Sequence, residues 1–235
     1  LETNTTGGDN IGIGHDALND VTTASYNIGI GSYSGDSIST GASNTLLGYL
    51  SGAAITTASN NTAVGSSALT ANTTGTQNVA LGALALDALT IGRYNTALGY
   101  SALTTDIDGD FSTAIGFSAL ANQESDSANQ AVYNTVVGSY AGFGLTTAIH
   151  GTFLGGFAGG NGVVTGDDNT GVGYRALYVN TTGHSNVAVG AYAGDANTTA
   201  SANTAVGTSA LGANTTGDSN VAIGYQALDA NPTAD

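Results

Sequence analysis

The stretch Asn61-Thr62-Ala63-Val64-Gly65 recurs along the whole chain and decides the fold. Aligning its copies on the glycine gives thirteen repeats, and ten of the twelve steps between them are 17 residues long. The other two steps are 22 residues, from Gly116 to Gly138, and 18 residues, from Gly155 to Gly173. A fixed period over an entire sequence is typical of a repeat architecture. We number the positions of each repeat from 1, at the asparagine, to 17.

Position 4 is aliphatic in every repeat, immediately before the glycine at position 5. A disordered chain has no reason to keep one column so uniform, so the 36 glycines do not indicate disorder. The residues at position 4 are Ile13, Ile30, Leu47, Val64, Leu81, Leu98, Ile115, Val137, Leu154, Val172, Val189, Val206 and Ile223.

Each repeat reads as one coil of a solenoid. Positions 1 to 5 alternate as a short strand, with positions 2 and 4 on one face and position 3 on the other. Positions 6 to 9 are predicted to form a second short strand, and turn formers such as Asn72-Thr73-Thr74-Gly75 close the coil. We therefore predict an all-β, parallel β-solenoid of about thirteen 17-residue coils. It is a single repeat domain over residues 1–235, with a longer loop at 121–133.

The uniform position 4 predicts a residue that faces the core, so Val64, Leu98, Val137 and Val206 are expected to be buried. Position 3 is never polar and would then point outward, where an apolar stripe exposed to water indicates a contact surface. We expect identical chains to meet there, so that Ala97→Arg or Ala205→Arg disrupts assembly. A large side chain at position 7 accompanies glycine at position 9, which favours a shared core volume at these two positions. Chance over thirteen repeats is the alternative explanation.

Two other columns have a structural interpretation. Asparagine occupies position 1 in eleven of thirteen repeats, which predicts a ladder of side-chain hydrogen bonds between stacked coils. The paired threonines of the loop predict a second polar ladder. Glycine at position 5 without exception predicts either a positive φ or a close approach of neighbouring backbones.

The composition excludes several function classes. Two Lys+Arg residues against 17 Asp+Glu give a net charge of −15, so we expect no binding to nucleic acid or anionic lipid. No cysteine is present, and no apolar run is long enough to predict membrane insertion. The three histidines fall in different repeats and at different positions, so we expect no enzyme. A glycan-cleaving site with paired carboxylates between chains is the alternative.

The repeat block Asn-x-Ala-Val/Ile-Gly, followed by Ala-Leu and Asn-Thr-Thr-Gly, resembles the head repeats of trimeric autotransporter adhesins. It is even more similar to the Asn-Thr-Ala-x-Gly-x-x-Ala-Leu arrays of phage tail fibres. The resemblance covers nearly the whole chain, from about Asn4 to Asn231. It implies a left-handed parallel β-roll, three chains around one axis, and an extracellular fibre or adhesin on a virion or cell surface.

The irregular repeats are the candidates for a specific site, because insertions in repeat proteins map to loops on one face. Within the insertion, Asn122, Gln123, Glu124 and Asp126 are candidate binding residues for a cell-surface glycan or protein receptor. One coil earlier, alternating carboxylates resemble a calcium loop, although the downstream bidentate glutamate is missing. A solvated acidic loop is the alternative, and calcium is the one cofactor that the sequence suggests. The three candidate calcium ligands are Asp106, Asp108 and Asp110.

Three function classes follow. The first is a non-enzymatic fibre or adhesin shaft, assembled from identical chains. The second is an extracellular filament of subunits stacked end to end, because Leu1 begins the chain without methionine and no capping repeat is evident. Asn231-Pro232-Thr233 is expected to be a partial stop at the other end. An ice-binding solenoid ranks last, since adjacent threonines cannot both point outward from a flat strand.

Overall fold

The structure is a computed structural model that describes residues 3–230. The described residues form two compact units, the first of residues 3–112 with 124–131 and the second of residues 113–123 with 132–230. The first unit contains β1 (Ile11–Ile13), β2 (Ile28–Ile30), β3 (Thr45–Leu47), β4 (Thr62–Val64), β5 (Val79–Leu81) and β6 (Thr96–Leu98). The second contains β7 (Thr113–Ile115), β8 (Thr135–Val137), β9 (Thr152–Leu154), β10 (Thr170–Val172), β11 (Val187–Val189), β12 (Thr204–Val206) and β13 (Val221–Ile223).

Every strand occupies positions 2 to 4 of its repeat and pairs in parallel with the strand of the next repeat in the same unit. The register is set by the period, so Ala63 lies opposite Ala80 and Val64 lies opposite Leu81. This pairing confirms an all-β parallel solenoid of about thirteen coils. Residues 3–230 contain no helix, and therefore none long and apolar enough to cross a membrane. The predicted stop at Asn231-Pro232-Thr233 lies outside the described residues.

The prediction of a second strand at positions 6 to 9 is wrong. This segment is a turn, and the residues at positions 7 and 9 have left-handed backbone angles, as at Ser67 with a φ of 55° and Leu69 with a φ of 54°. A strand needs negative φ at every residue, so two left-handed residues in four exclude it. The turn brings both Ala68 and Leu69 into the core instead of alternating them.

The predicted orientation of the first strand is also wrong, because position 3 faces the core and position 4 faces outward. Ala63, Ala97 and Ala205 are buried, whereas Val64 is only half-buried and Leu98 is 39% exposed. Val137 and Val206, also expected in the core, are half-buried too. The inner space is narrow because leucine at position 9 fills it, so only a small side chain fits at position 3 in most coils.

The core is formed by positions 3, 8, 9 and 12, and its volume is balanced inside each coil. In four of the five coils that have glycine at position 9, a large buried residue lies at position 3 or 12. The large residue at position 7, which we had predicted to share the core, is not buried in any of the five. A Cβ at Gly159 would lie 2.6 Å from Cδ1 of Phe153, and a Cβ at Gly52 would lie 2.8 Å from the side chains of Leu46 and Ile55. Glycine at position 9 therefore makes room for these larger neighbours.

The asparagine ladder is confirmed. The asparagine at position 1 accepts through Oδ1 from the backbone N–H of position 1 in the next coil, as Asn44 does from Asn61 at 3.0 Å. Its Nδ2 donates within its own coil, to the carbonyl of Ala58 in the case of Asn44, at 2.9 Å. The first threonine of the loop pair forms the second ladder, since Thr56 Oγ1 donates to the carbonyl oxygen of Thr73 at 3.1 Å.

Candidate functional site

The candidate site lies in the first unit, where the loop of the sixth coil meets residues 124–131 of the insertion. Backbone hydrogen bonds join the two segments, with Asp110 N donating to Gln130 O at 2.8 Å and Asn129 N donating to Asp108 O at 3.1 Å. A surface cavity of about 170 Å³ lies at this junction. Its lining residues are Thr105, Ile107, Asp108, Glu124 and Ser125.

Asp106 and Asp108 share one hydroxyl group. Ser125 Oγ lies 3.0 Å from Asp106 Oδ1 and is also in close contact with Asp108 Oδ1. A serine hydroxyl has a single proton to donate, so it cannot serve two ionised carboxylates at once. The arrangement is satisfied when one of the two carboxyl groups is protonated and donates to Ser125.

Asp106 is the better candidate for the protonated group, because it is buried at position 12. Its Oδ1 also accepts from Gly109 N at 3.2 Å, whereas its Oδ2 is buried without a hydrogen-bond partner. Burial raises the pKa of Asp106, and the hydrogen bonds from Ser125 and Gly109 oppose that rise. The group therefore occupies a place in the coil that favours a neutral side chain.

Asp110 faces a different neighbour. Its Oδ1 accepts from the backbone N–H of Arg93 at 2.8 Å, and its Oδ2 lies 3.6 Å from Nε of the same arginine. Arg93 also donates through Nη2 to Asn129 Oδ1 at 2.7 Å. One of the chain's two cations thus links the acidic loop to the insertion.

The four candidate binding residues divide between the two units. In the second unit, Asn122 donates to the carbonyl of Phe143 at 2.8 Å, and Gln123 is buried and donates to Thr146 O at 2.8 Å. Their amide groups are used in packing the coil. In the first unit, Glu124 and Asp126 are exposed, and of these two only Glu124 lines the cavity.

Across residues 3–230, no group of three or more His, Asp or Glu side chains is placed to hold a metal ion. The three predicted calcium ligands are not gathered, because Asp110 is directed at Arg93 while Asp106 and Asp108 surround Ser125. Calcium prefers six to eight oxygen ligands, so this loop offers a small part of such a set. Calcium binding stays a prediction.

The histidines lie in separate coils, as the sequence indicates. His15 is 3.0 Å from Asp16, and His150 is 3.1 Å from Asp168. Both pairs are exposed to solvent. A His–Asp pair alone positions an imidazole but supplies no nucleophile or oxyanion donor.

A set of aromatic residues in the second unit was not predicted from the sequence. Five consecutive coils each contribute one ring from position 6 or 7, and we call this set the aromatic row. Its signal in the sequence is the concentration of Tyr and Phe at these two positions in the seventh to eleventh repeats. The aromatic row consists of Phe117, Tyr140, Phe157, Tyr174 and Tyr192.

A comparison with known protein families finds no match, and a comparison with curated proteins finds none either.

We expect Asp106→Asn to stabilise the protein at pH 7. At the same position, Asn72 accepts from Gly75 N at 3.0 Å and donates Nδ2 to Gly75 O at 2.9 Å. An amide at residue 106 can supply the donor that the buried Oδ2 lacks, which contributes about 1–3 kcal/mol. Chemical denaturation of the parent and the variant measures the difference.

The stability that Asp106→Asn gains over the parent should depend on pH. Because the folded-state pKa of Asp106 is raised above its ordinary 3.8, the penalty of the charged form is absent below 3.8. This penalty grows as the pH rises from 3.8 through the raised folded-state pKa of Asp106, and it is complete above that pKa. The reverse change, Asn72→Asp, is the matched control and should lose stability at pH 7 but not at pH 3. A less stable Asp106→Asn at pH 7, with calcium stabilising only the parent, would instead show that the carboxylate binds the ion.

Proposed function

We propose that the chain is part of a non-enzymatic extracellular fibre or adhesin shaft, in which identical chains pack through their outward sheet faces. The observation that supports this proposal is the aliphatic column at position 4. In the first unit this column contains Leu47, Leu81 and Leu98, each 39–44% exposed in the single chain. Position 2 lies on the same face and is also exposed, at Val79 in the first unit and at Val187 in the second.

An apolar column of this kind is costly to leave in water. Completing the burial of a half-exposed aliphatic side chain contributes on the order of 1 kcal/mol. Six or seven such residues per unit therefore give a gain comparable to the lower estimates of the cost of association, about 4 kcal/mol. The resemblance to adhesin heads and tail fibres favours three parallel chains, and such a rod would support attachment to a host or surface.

The oligomeric state tests this proposal. We expect the unmodified protein to sediment as an assembly of several chains, three by the resemblance. Leu81→Lys combined with Leu98→Lys should yield single folded chains, because association would bury two charges in an apolar contact. Tyr26→Lys is the control, since Tyr26 is 63% exposed at position 17, outside the strand. A folded monomer of the unmodified protein at the highest concentration studied would refute the proposal.

Ice binding finds little support in the threonine columns. The first threonine of each pair uses its hydroxyl in the ladder, as Thr198 Oγ1 does toward Thr215 O at 3.0 Å. Only the second is exposed, at Thr74, Thr182 and Thr199 among others. The threonine pairs therefore supply one outward column, as expected of adjacent residues. End-to-end filament formation stays a prediction.

A further inference from the structure

The rings of the aromatic row are evenly spaced, with successive ring planes at 65°, 12°, 84° and 81° to one another. The centroids of successive rings, from Phe117 to Tyr192, are 5.2, 5.2, 6.2 and 5.5 Å apart. Stacked strands are about 4.8 Å apart, so the spacing follows from one ring per coil. Two more rings flank the row, Phe143 at 5.6 Å from Tyr140 and Tyr178 at 6.4 Å from Phe157.

The rings are not part of the coil interior. The core of these coils is made by residues such as Ala141, Phe153 and Leu177, which are buried. By contrast, Tyr174 is 46% exposed and Tyr192 is 37% exposed. A row of large rings that remains at the surface, each held by its neighbours, is typical of a preorganised binding surface.

The charge of the chain limits what can bind there. A net charge of −15 repels polyanions such as nucleic acids and acidic polysaccharides. The one cation of the second unit, Arg175, has its guanidinium carbon 4.0 Å from the ring centroid of Tyr178 and is engaged there. The surface therefore suits an uncharged partner with both apolar faces and hydroxyl groups, which matches the ring and hydroxyl of each tyrosine.

The regular spacing indicates a partner that is itself periodic. An extended chain of β-linked pyranose sugars presents one flat, C–H-lined face per sugar, at intervals close to the rise of one coil. A sugar face can stack where a ring face is open, as at the exposed Tyr174, and contact the edges of the rings tilted against it. The sugar hydroxyls remain free for water or for tyrosine hydroxyls. A second copy of this chain has the same period and is the alternative occupant, which the mass in solution tests below.

Gly156 leaves a space over the row. It occupies position 6 of the ninth coil, and a Cβ built there would lie 3.7 Å from Cδ2 of Tyr174 and 3.8 Å from Ser139 O. Its φ lies outside the left-handed region, so neither the backbone nor crowding requires glycine. The absence of a side chain keeps this part of the Tyr174 ring accessible.

We propose that the aromatic row binds an uncharged, extended, β-linked glycan by stacking its sugar rings on the aromatic faces. This proposal deepens the attachment role proposed above and rests on it for the source of the glycan, a host or other surface. The stacking itself needs only the second unit, whether or not chains assemble.

Titration calorimetry of the full chain with cellohexaose and with the β-1,4-linked hexamer of N-acetylglucosamine tests the proposal. At least one of the two hexamers should bind, and Tyr174→Ala or Phe157→Ala should weaken its affinity about tenfold or more. The loss of one aromatic ring that stacks on a base has an effect of this size in single-stranded nucleic-acid binding. Gly156→Leu should weaken binding by covering the Tyr174 ring, with an unchanged melting temperature. Tyr225→Ala is the control, because Tyr225 is exposed at position 6 but outside the row.

The proposal is overturned if neither hexamer binds, or if the Tyr225 variant loses as much affinity as the row variants. Equal binding of maltohexaose, whose α-linked chain is helical, would refute the match to an extended chain. If Tyr174→Ala changes the mass in solution and not the glycan affinity, the row is a contact between proteins. The oligomeric state is measured together with the affinity. A chain that binds the glycan as a monomer would refute the proposed shaft but not the proposed glycan site.

Discussion

We expect Ala205→Arg to unfold the second unit at neutral pH, whereas Val206→Arg, one residue further along β12, leaves it folded. Ala205 is buried at position 3, and Val206 is half-buried on the outward face. Burying an unpaired charge costs several kcal/mol. The total stability of a domain is about 5–15 kcal/mol, so one such charge is a large fraction of it.

The space at position 3 adds to this cost. At Gly171, the equivalent residue two coils earlier, even a Cβ would lie 2.9 Å from Cδ1 of Phe153. At Gly29 in the first unit, a Cβ would lie 2.8 Å from Cγ of Leu18. An arginine side chain at this position therefore has no room unless the coil opens.

Circular dichroism and thermal unfolding distinguish the two variants. Mass in solution is not the readout here, because Val206→Arg alters the outward face and can dissociate an assembly of folded chains. Ala97→Arg and Leu98→Arg repeat the comparison in the first unit, at the same two positions. The assignment is wrong if Ala97→Arg and Ala205→Arg stay folded whereas Leu98→Arg and Val206→Arg unfold. Position 4 would then face the core.

The sequence predicted the features that depend on equal positions stacking on one another. A 17-residue period places each asparagine of position 1 above the last, so the ladder through Asn44 and Asn61 follows from the spacing alone. The parallel register follows for the same reason, since Thr62, Ala63 and Val64 meet their counterparts one repeat later. These predictions do not require knowledge of which side of the strand is inside.

The sequence could not show which face of the strand is buried. Alternation in a three-residue strand shows that positions 2 and 4 share a face, but it does not show which face is buried. A column of aliphatic residues is compatible both with a core and with an outward surface that another chain covers. What decides is the turn at positions 6 to 9, because it fills the interior with Ala68 and Leu69.

That turn was hidden because leucine rarely adopts a left-handed φ. Leu69, Leu86 and Leu103 all do so, with φ between 51° and 54°. The available signal was the replacement of leucine by glycine at position 9 in five repeats, which is typical of a left-handed residue. We had attributed this replacement to side-chain volume alone.

The acidic loop lies at the surface beside the insertion, but its three carboxylates do not converge. Alternate residues of the loop were predicted to supply three converging carboxylates. In the structure each has the surroundings of its repeat position: Asp106 in the core, Asp108 beside Ser125, and Asp110 against Arg93. Spacing along a loop does not predict convergence where each position of a coil has its own direction.

We expect Gly65→Ala to destabilise the first unit by about 3 kcal/mol or more, with strain in the backbone supplying about 1–3 kcal/mol of that. Gly65 has a φ of 137°, and a Cβ there would lie 2.5 Å from Gly82 O and 2.8 Å from Ala83 N. Both alternatives predicted for position 5, a positive φ and a close backbone approach, are therefore present together. The methyl group must push apart two coils whose backbones are hydrogen-bonded.

The destabilisation by Gly65→Ala should appear as a lower midpoint of chemical denaturation. Gly156→Ala is the matched control, because its nearest heavy atom would be 3.7 Å away and its φ is not left-handed. A surface substitution of this kind changes stability by about 0.5 kcal/mol or less. Equal losses in the two variants would mean that glycine at position 5 acts only through the flexibility of the unfolded chain. A loss confined to Gly65→Ala shows that the positive φ and the close approach of the neighbouring backbone together require glycine in this column.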